Sequence, residues 1–186
     1  GICWRVKSDK PEGCETNMDD LVEEILNTGF KLAIDKEDVK KIIRWLRLGK
    51  NVVLVGAPGV GKTRLAERIM EVADKIIPGD PPEGYDVRVA HKEWTRRHVI
   101  GGLKINSQEF EVGCVTAAAE KNKWLLIDEF NRADINQAFG EMFFGIERLH
   151  ITLSDEESKA YGKQEINIPE NFRMVCTMND FDKNLL

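Results

Sequence analysis

The 186-residue sequence predicts an α/β fold built on a parallel sheet. Short apolar runs alternate along the chain with stretches in which apolar residues recur at helical spacing, which is the order of β-α units. One apolar run leads into a glycine-rich turn, and another ends in two carboxylates. The runs are apolar throughout, as expected of strands that helices cover on both faces of a parallel sheet.

Two amphipathic helices are predicted ahead of the first strand. The first begins at Asn17, whose side chain can cap it, and ends near Gly29, while the second ends at Gly49. Their apolar faces consist of Met18, Leu21, Val22 and Ile25 in the first helix and of Val39, Ile42, Ile43 and Leu46 in the second. Residues 1–34 are therefore predicted to form an N-terminal extension with one short helix, and residues 35–186 the α/β domain.

Four strands are predicted in the α/β domain, at residues 51–56, 86–90, 124–128 and 172–177. The helices predicted between them carry Leu65, Ile69, Val72 and Ile76, then Ala117, Ala118 and Ala119, and finally Ile135, Phe139, Met142 and Ile146 behind the cap Asp134. A loop rich in glycine and proline, residues 78–84, precedes the second strand.

A phosphate-binding loop is predicted where the first strand ends. The run Gly-Ala-Pro-Gly-Val-Gly-Lys-Thr at residues 56–63 matches the P-loop pattern GxxxxGK[ST] and lies between a predicted strand and a predicted helix. Glycines let backbone N–H groups face a phosphate, and the helix adds its positive N-terminal end. Lys62 can reach the β- and γ-phosphate oxygens, and the Thr63 hydroxyl can ligate Mg²⁺. The predicted nucleotide-binding residues are Gly56, Ala57, Pro58, Gly59, Val60, Gly61, Lys62, Thr63 and Arg64.

A hydrolytic site is predicted where the third strand ends in Asp128 and Glu129. Two carboxylates after a buried strand are costly unless they serve a cation or a proton transfer. Asp128 would hold Mg²⁺ together with Thr63, and Glu129 would act as the general base that polarises the attacking water. With Lys62, these residues predict a P-loop nucleoside triphosphatase that uses Mg²⁺.

The chain resembles AAA+ ATPases of the MoxR, McrB and dynein-related group over about residues 35–186. The resemblance rests on the P-loop, the Asp128-Glu129 pair, the following Asn131-Arg132-Ala133, the upstream Ile100-Gly101-Gly102 and the segment 171–179. It implies a three-layer α/β/α P-loop NTPase fold. For the full-length protein it implies a homo-oligomeric ring that acts on a protein client or adaptor.

The resemblance also implies roles for particular segments. Asn179 occupies the position of the catalytic sensor 1 residue, with Thr177 as the alternative. Segments 103–112 and 151–168 match inserted hairpins that project toward the central pore in such rings. The family's arginine finger and helical lid follow the point where this sequence stops, so the chain is expected to lack the lid and to bind nucleotide better than it hydrolyses it.

Three arginines have two interpretations each. Arg132 would form a surface salt bridge or face a neighbouring subunit. Arg96 and Arg97 would be solvated, or would line a pore or a subunit interface.

The identity of the nucleotide stays open between ATP and GTP. ATP is the default for the fold, but Asn179-Asp180-Phe181-Asp182 fits the N-x-x-D spacing of McrB-type proteins, which use GTP. An aspartate that accepts two hydrogen bonds from a guanine edge is sound chemistry. Asp180 and Asp182 could equally be turn residues.

Three biological tasks fit these motifs. The chain could belong to an ATP-driven remodeller of a protein client, or to the motor of a McrB-type restriction complex that reaches nucleic acid through a partner. It could also be a nucleotide-binding switch or scaffold that hydrolyses little, although Glu129 argues against that function.

Composition limits the remaining classes of protein. With 27 basic and 32 acidic residues the formal net charge is −5, which argues against a surface coated with basic charge for nucleic acid but not against a local basic patch. No apolar run reaches the roughly 20 residues of a membrane helix, and no signal peptide is visible. Cys3 and Cys14 are expected to be reduced bystanders, and Cys114 and Cys176 core residues, in a cytoplasmic protein. His91, His98 and His150 lack metal-ligand spacing.

Overall fold

A computed structural model describes residues 17–27 and 34–179 of the chain. The helices are α1 (Met18–Leu26), α2 (Lys36–Arg47), α3 (Lys62–Glu71), α4 (Ala73–Ile76), α5 (Arg96–Val99), α6 (Cys114–Glu120), α7 (Ile135–Arg148) and α8 (Asp155–Tyr161), with a 3₁₀ turn at Phe130–Arg132. The strands are β1 (Val52–Gly56), β2 (Tyr85–Val89), β3 (Gly101–Leu103), β4 (Phe110–Val112), β5 (Trp124–Asp128), β6 (His150–Thr152), β7 (Glu165–Asn167) and β8 (Met174–Asn179). Predictions made for Cys3, Cys14, Gly29, Asp180 and Asp182 lie outside the described residues.

The central sheet is parallel and has the strand order β1-β8-β5-β2. Its four strands are those expected from the sequence, although β8 begins and ends two residues later than predicted. The prediction that every strand is buried on both faces is correct for β5 and β8 but wrong for β1 and β2. Val53 and Val55 of β1 and residues 87–89 of β2 are exposed, and each of these strands lies at an edge of the sheet described here.

Helices cover both faces of the sheet, so the fold is the predicted three-layer α/β/α P-loop NTPase fold. Because side chains alternate along a strand, Leu125 and Ile127 face one apolar cluster and Trp124 and Leu126 face the other. The first cluster includes residues of α5, α6 and α7, and the second includes residues of α1 to α4.

The N-terminal helix α1 packs on the second cluster. Leu21, Val22 and Ile25 are fully buried, as their helical spacing predicts, and Asn17 caps the helix by accepting a hydrogen bond from the Asp19 backbone N–H. Arg68 of α3 donates to the Glu24 carbonyl at 2.9 Å. Helix α1 is thus tied to the helix that follows the P-loop.

Two inserted segments lie beside the sheet. The first is the predicted hairpin, in which β3 and β4 pair antiparallel. In the second, β6 and β7 also pair antiparallel, but the expectation of a simple hairpin is wrong because helix α8 connects them. Ser154 and Glu157 form a capping box at its start, a helix signal within the predicted hairpin.

Arg96 joins both inserted segments to the core, although its side chain is 30% exposed. Its guanidinium donates to Glu141 of α7, to Glu157 of α8 at 2.8 Å and to the Gly101 carbonyl at 2.9 Å. Arg97 instead pairs with the exposed Glu111, at 2.9 Å. The two adjacent arginines thus have different partners, a difference that the sequence does not predict.

Among residues 17–27 and 34–179, no helix combines the length and the apolar character that crossing a membrane requires.

Candidate nucleotide-binding site

The loop at residues 56–63 connects β1 to α3 at the carboxyl end of the sheet. Gly59 and Gly61 have φ values of 77° and 92°, in the left-handed region that glycine adopts without steric cost. Gly61 occupies the N-cap position of α3, a helix of 10 residues. The backbone conformation that the P-loop pattern requires is therefore present, with the positive end of a helix directed into the loop.

Lys62 folds back over this loop. Its Nζ donates to the Gly56 carbonyl at 2.9 Å, to the Ala57 carbonyl at 2.8 Å and to Asn179 Oδ1 at 3.0 Å. These bonds use the three donors of an ammonium group. The contact with Asn179 brings the predicted sensor residue of β8 to the predicted phosphate-binding lysine.

Asp128 lies at the end of β5 opposite the start of α3. Its Oδ1 accepts a hydrogen bond from the Thr63 hydroxyl at 2.9 Å and another from the Thr177 hydroxyl. Thr63 and Asp128 were predicted to share a cation, and the structure brings them into direct contact. Thr177 was considered only as an alternative sensor, and its contact with Asp128 was not anticipated.

Glu129 has an unusual backbone conformation. Its φ of 54° lies in the left-handed region, which is uncommon for residues other than glycine. Its backbone N–H donates to Thr177 Oγ1 at 3.2 Å, and its carboxylate pairs with Arg132 Nε at 2.7 Å. The salt bridge predicted for Arg132 is present, and its partner is the predicted general base itself.

These residues line one open cleft of about 400 Å³. Its lining consists of Pro58, Gly59, Gly61, Lys62, Thr63, Arg64, Asp128, Glu129, Thr177, Met178 and Asn179. Three predicted residues lie elsewhere: Gly56 and Ala57 present their carbonyls to Lys62, and Val60 lines the neighbouring cavity. The Arg64 guanidinium lies 3.4 Å from Glu67, along the helix surface.

The donor set of the cleft fits Mg²⁺. A hydroxyl and a carboxylate are the hard oxygen ligands that this ion uses beside substrate phosphates, and Thr63 and Asp128 supply them at the mouth of the P-loop. The described residues contain no group of three or more His, Cys, Asp or Glu side chains arranged to hold a metal ion, at the cleft or away from it.

A second cavity of about 280 Å³ adjoins the P-loop and shares Gly61 and Lys62 with the first. Its other lining residues are mainly apolar: Ile34, Asp38, Val53, Leu54, Val55, Val60 and Leu65. The sequence does not predict this cavity, because the run at β1 is apolar throughout and indicates a strand buried on both faces. Val53 and Val55 are in fact 46% and 44% exposed, since β1 lies at an edge of the sheet described here, a position that the local sequence does not reveal.

The two described cysteines are core residues, as predicted. Cys114 and Cys176 are both buried and free. Burial raises the pKa of the Cys114 thiol to about 11 and raises the pKa of Cys176 further. Neither thiol is therefore poised as a nucleophile.

The family of the chain follows from its similarity to a known protein domain. The AAA domain of the dynein-related subfamily matches residues 51–186. The chain belongs to this family. The match confirms that it is an AAA+ ATPase domain, and the relatives described next support the MoxR- and McrB-like group within that family.

One similar protein is the type IV methyl-directed restriction enzyme EcoKMcrB subunit of Escherichia coli strain K12, 27% identical over 88% of this chain. Another is the chaperone protein ClpB of Clostridium tetani, 34% identical over 43% of the chain. A crystal structure of a protein assigned as an ATPase, from Cytophaga hutchinsonii, shares the fold over 89% of the chain, with a TM-score of 0.54 and 15% identity. The AAA+ chain spans 37% of the E. coli subunit, 10% of ClpB and 43% of the crystallised chain.

Proposed function

We propose that this AAA+ domain binds a nucleoside triphosphate with Mg²⁺ and hydrolyses it. The observation that carries the proposal is the convergence of Lys62, Thr63, Asp128, Glu129 and Asn179 on one cleft, although they come from three separate parts of the chain. A cation, a hydroxyl, two carboxylates and an amide at the N-terminus of α3 are the groups that phosphoryl transfer to water requires.

The phosphates would be held first by the loop and by Lys62. Lys62 would exchange its bonds to the Gly56 and Ala57 carbonyls for β- and γ-phosphate oxygens, and so offset the negative charge that builds on the transferred group. Thr63 and Asp128 would hold Mg²⁺, whose charge would further neutralise the phosphate oxygens.

Glu129 would then accept the proton of the attacking water. Its carboxylate pairs with Arg132, so proton acceptance requires that this pair open or shift. Asn179, on the neighbouring strand and in contact with Lys62, would orient the γ-phosphate or the water. The apolar cavity around Val53, Val55 and Val60 would hold the nucleobase, because it shares Gly61 and Lys62 with the phosphate cleft.

At the level of the whole protein, we propose a ring of identical subunits in which hydrolysis remodels a protein client. The family match and the similarity to ClpB support this interpretation. The similarity to the E. coli restriction subunit over 88% of the chain favours a second candidate, the ATP- or GTP-driven motor of a nucleic-acid restriction complex. Catalysis is proposed to depend on assembly, since an arginine from an adjacent subunit typically raises the rate about 10³-fold or more.

Lys62→Ala tests nucleotide binding. Titration with ATP and with GTP in the presence of Mg²⁺ should show affinity reduced by about 10- to 100-fold, because charge-assisted hydrogen bonds to the phosphates are lost. Lys104→Ala is the matched control, since Lys104 is a lysine of the β3–β4 hairpin paired with Glu109 at its surface. Equal affinity of the Lys62→Ala variant and the parent for both nucleotides would contradict the assignment of the P-loop.

A further inference from the structure

A buried hydroxyl lies between the two carboxylate residues of the cleft. Thr177 is on β8, directly beside β5, and is 2% exposed. Its hydroxyl donates to Asp128 Oδ1 and accepts from the Glu129 backbone N–H at 3.2 Å. One side chain thus holds the side chain of the proposed metal ligand and the main chain of the proposed base.

A second buried threonine shows what an ordinary structural hydroxyl does in this fold. Thr116, fully buried in α6, donates to the Ile100 carbonyl at 2.6 Å. That bond satisfies a polar group inside the core and reaches neither carboxylate of the cleft. Both hydroxyls are buried and hydrogen-bonded, but only that of Thr177 is bonded to residues of the proposed site.

The two bonds of Thr177 act on different features of the cleft. The bond to Asp128 Oδ1 fixes the rotation of the carboxylate. The Thr63 hydroxyl contacts the same oxygen. The bond from the backbone N–H supports the left-handed conformation of Glu129, which is uncommon for residues other than glycine. That backbone conformation sets the direction in which the Glu129 side chain projects beyond the end of β5.

We propose that Thr177 is a positioning residue for hydrolysis, which sets Asp128 for Mg²⁺ and Glu129 for the water. The inference rests on the proposed hydrolytic function. It depends on the hydroxyl at position 177, because a hydroxyl can donate to the carboxylate and accept from the N–H at once, whereas a methyl group can do neither. Serine can replace threonine in this role, whereas valine, which has the same shape, cannot.

Four variants test the inference: Thr177→Val, Thr177→Ser, Thr177→Ala and the matched control Thr116→Val. Two quantities are measured on each, the gain in ATP affinity on adding Mg²⁺ and the single-turnover hydrolysis rate with the protein in excess. Thr177→Val should reduce the Mg²⁺-dependent gain by about tenfold and the rate by about 10- to 100-fold, with Mg²⁺-free affinity within about twofold of the parent. Thr177→Ser and Thr116→Val should retain both quantities within about threefold.

The outcomes separate the inference from the proposed function. If the parent chain does not bind ATP, or if the Lys62→Ala variant binds ATP as tightly as the parent, the proposed function is wrong. A parent with a clear Mg²⁺-dependent gain that Thr177→Val leaves unchanged overturns the role of Thr177 alone. If Thr177→Val does not fold, as judged by circular dichroism, Thr177→Ala replaces it because alanine also lacks a hydroxyl and adds no bulk. Parent-like gain and rate in that variant overturn the inference equally.

Discussion

The nucleotide cleft and the inserted segments are held in place in different ways. The cleft lies at the carboxyl end of four paired strands, and polar contacts such as Thr63 to Asp128 and Lys62 to Asn179 connect the residues that line it. The strands of the inserted segments, β3 with β4 and β6 with β7, pair only within each segment among the described residues. Side chains join those segments to the core and to each other, as in the contact between Phe110 and Tyr161.

Because of this difference, we expect substitutions in the cleft to change catalysis and substitutions in the inserted segments to change stability. Apart from the buried Thr177, the polar groups of the cleft are half-buried and within reach of water, so replacing one by a group of similar shape removes a chemical function at little cost in folding. The first inserted segment contains a close backbone approach at Gly101, and Arg96 joins both segments to the core. Changes at these positions should cost folding free energy without altering the residues proposed to bind the phosphates. Three substitutions test this contrast.

The largest effect is expected from Glu129→Gln. Glutamine keeps the shape of the side chain and can still accept a bond from Arg132, but it cannot take a proton from water, so the single-turnover hydrolysis rate should fall by about 10²- to 10⁴-fold. Nucleotide affinity and the thermal unfolding midpoint should stay near those of the parent. Glu147→Gln, at an exposed position of α7, is the control. Hydrolysis by Glu129→Gln at the parent rate would show that Glu129 is not the base.

A smaller effect, on stability, is expected from Gly101→Ala in the β3–β4 hairpin. Gly101 has a φ of 132°, and an added Cβ would lie 2.6 Å from the Glu111 carbonyl oxygen. The variant should lower the free energy of unfolding by about 2–4 kcal/mol, as measured by chemical denaturation. At the adjacent Gly102 an added Cβ meets only ordinary contacts, the nearest at 3.6 Å, so Gly102→Ala should cost less than about 1 kcal/mol. Equal costs at the two positions would contradict the geometry of the hairpin.

The smallest effect is expected from Arg96→Gln. The substitution removes charge-assisted bonds to Glu141 and Glu157, but Arg96 is partly exposed, so the expected loss is about 1–2 kcal/mol of unfolding free energy. Arg97→Gln should cost less than about 1 kcal/mol, because the partner of Arg97 is an exposed glutamate. ATP affinity should be unchanged in both variants. A loss of affinity in Arg96→Gln would show that the inserted segments and the cleft are coupled.

The sequence predicts the sheet well because its signals are local. Each central strand is a short apolar run, and the P-loop pattern determines its own backbone conformation, so residues 52–56 and 124–128 could be assigned without knowledge of their neighbours. Proximity of Thr63 to Asp128 also follows, since the carboxyl ends of parallel strands meet at one edge.

Other features depend on pairings between distant residues, and no local pattern reports those. The environment of Arg96 is set by Glu141 and Glu157, which lie on two later helices. The contact of Thr177 with Asp128 requires the order and register of β5 and β8, which the sequence does not reveal. Likewise, the exposure of β1 and β2 depends on which strands lie at the edges of the sheet.

The position of β8 in the sheet has a consequence for how the domain folds. Among the described strands β8 is the last in chain order, yet it lies between β1 and β5, and Val52 pairs with Val175. During synthesis β2 and β5 can pair early, whereas β1 must wait until β8 has left the ribosome, and such long-range closure is intrinsically slow. Since β8 also carries Thr177 and Asn179, the polar groups of the cleft come together only when β8 enters the sheet in the correct register. Acquisition of Mg²⁺-dependent nucleotide binding during refolding would therefore report the entry of β8 between β1 and β5.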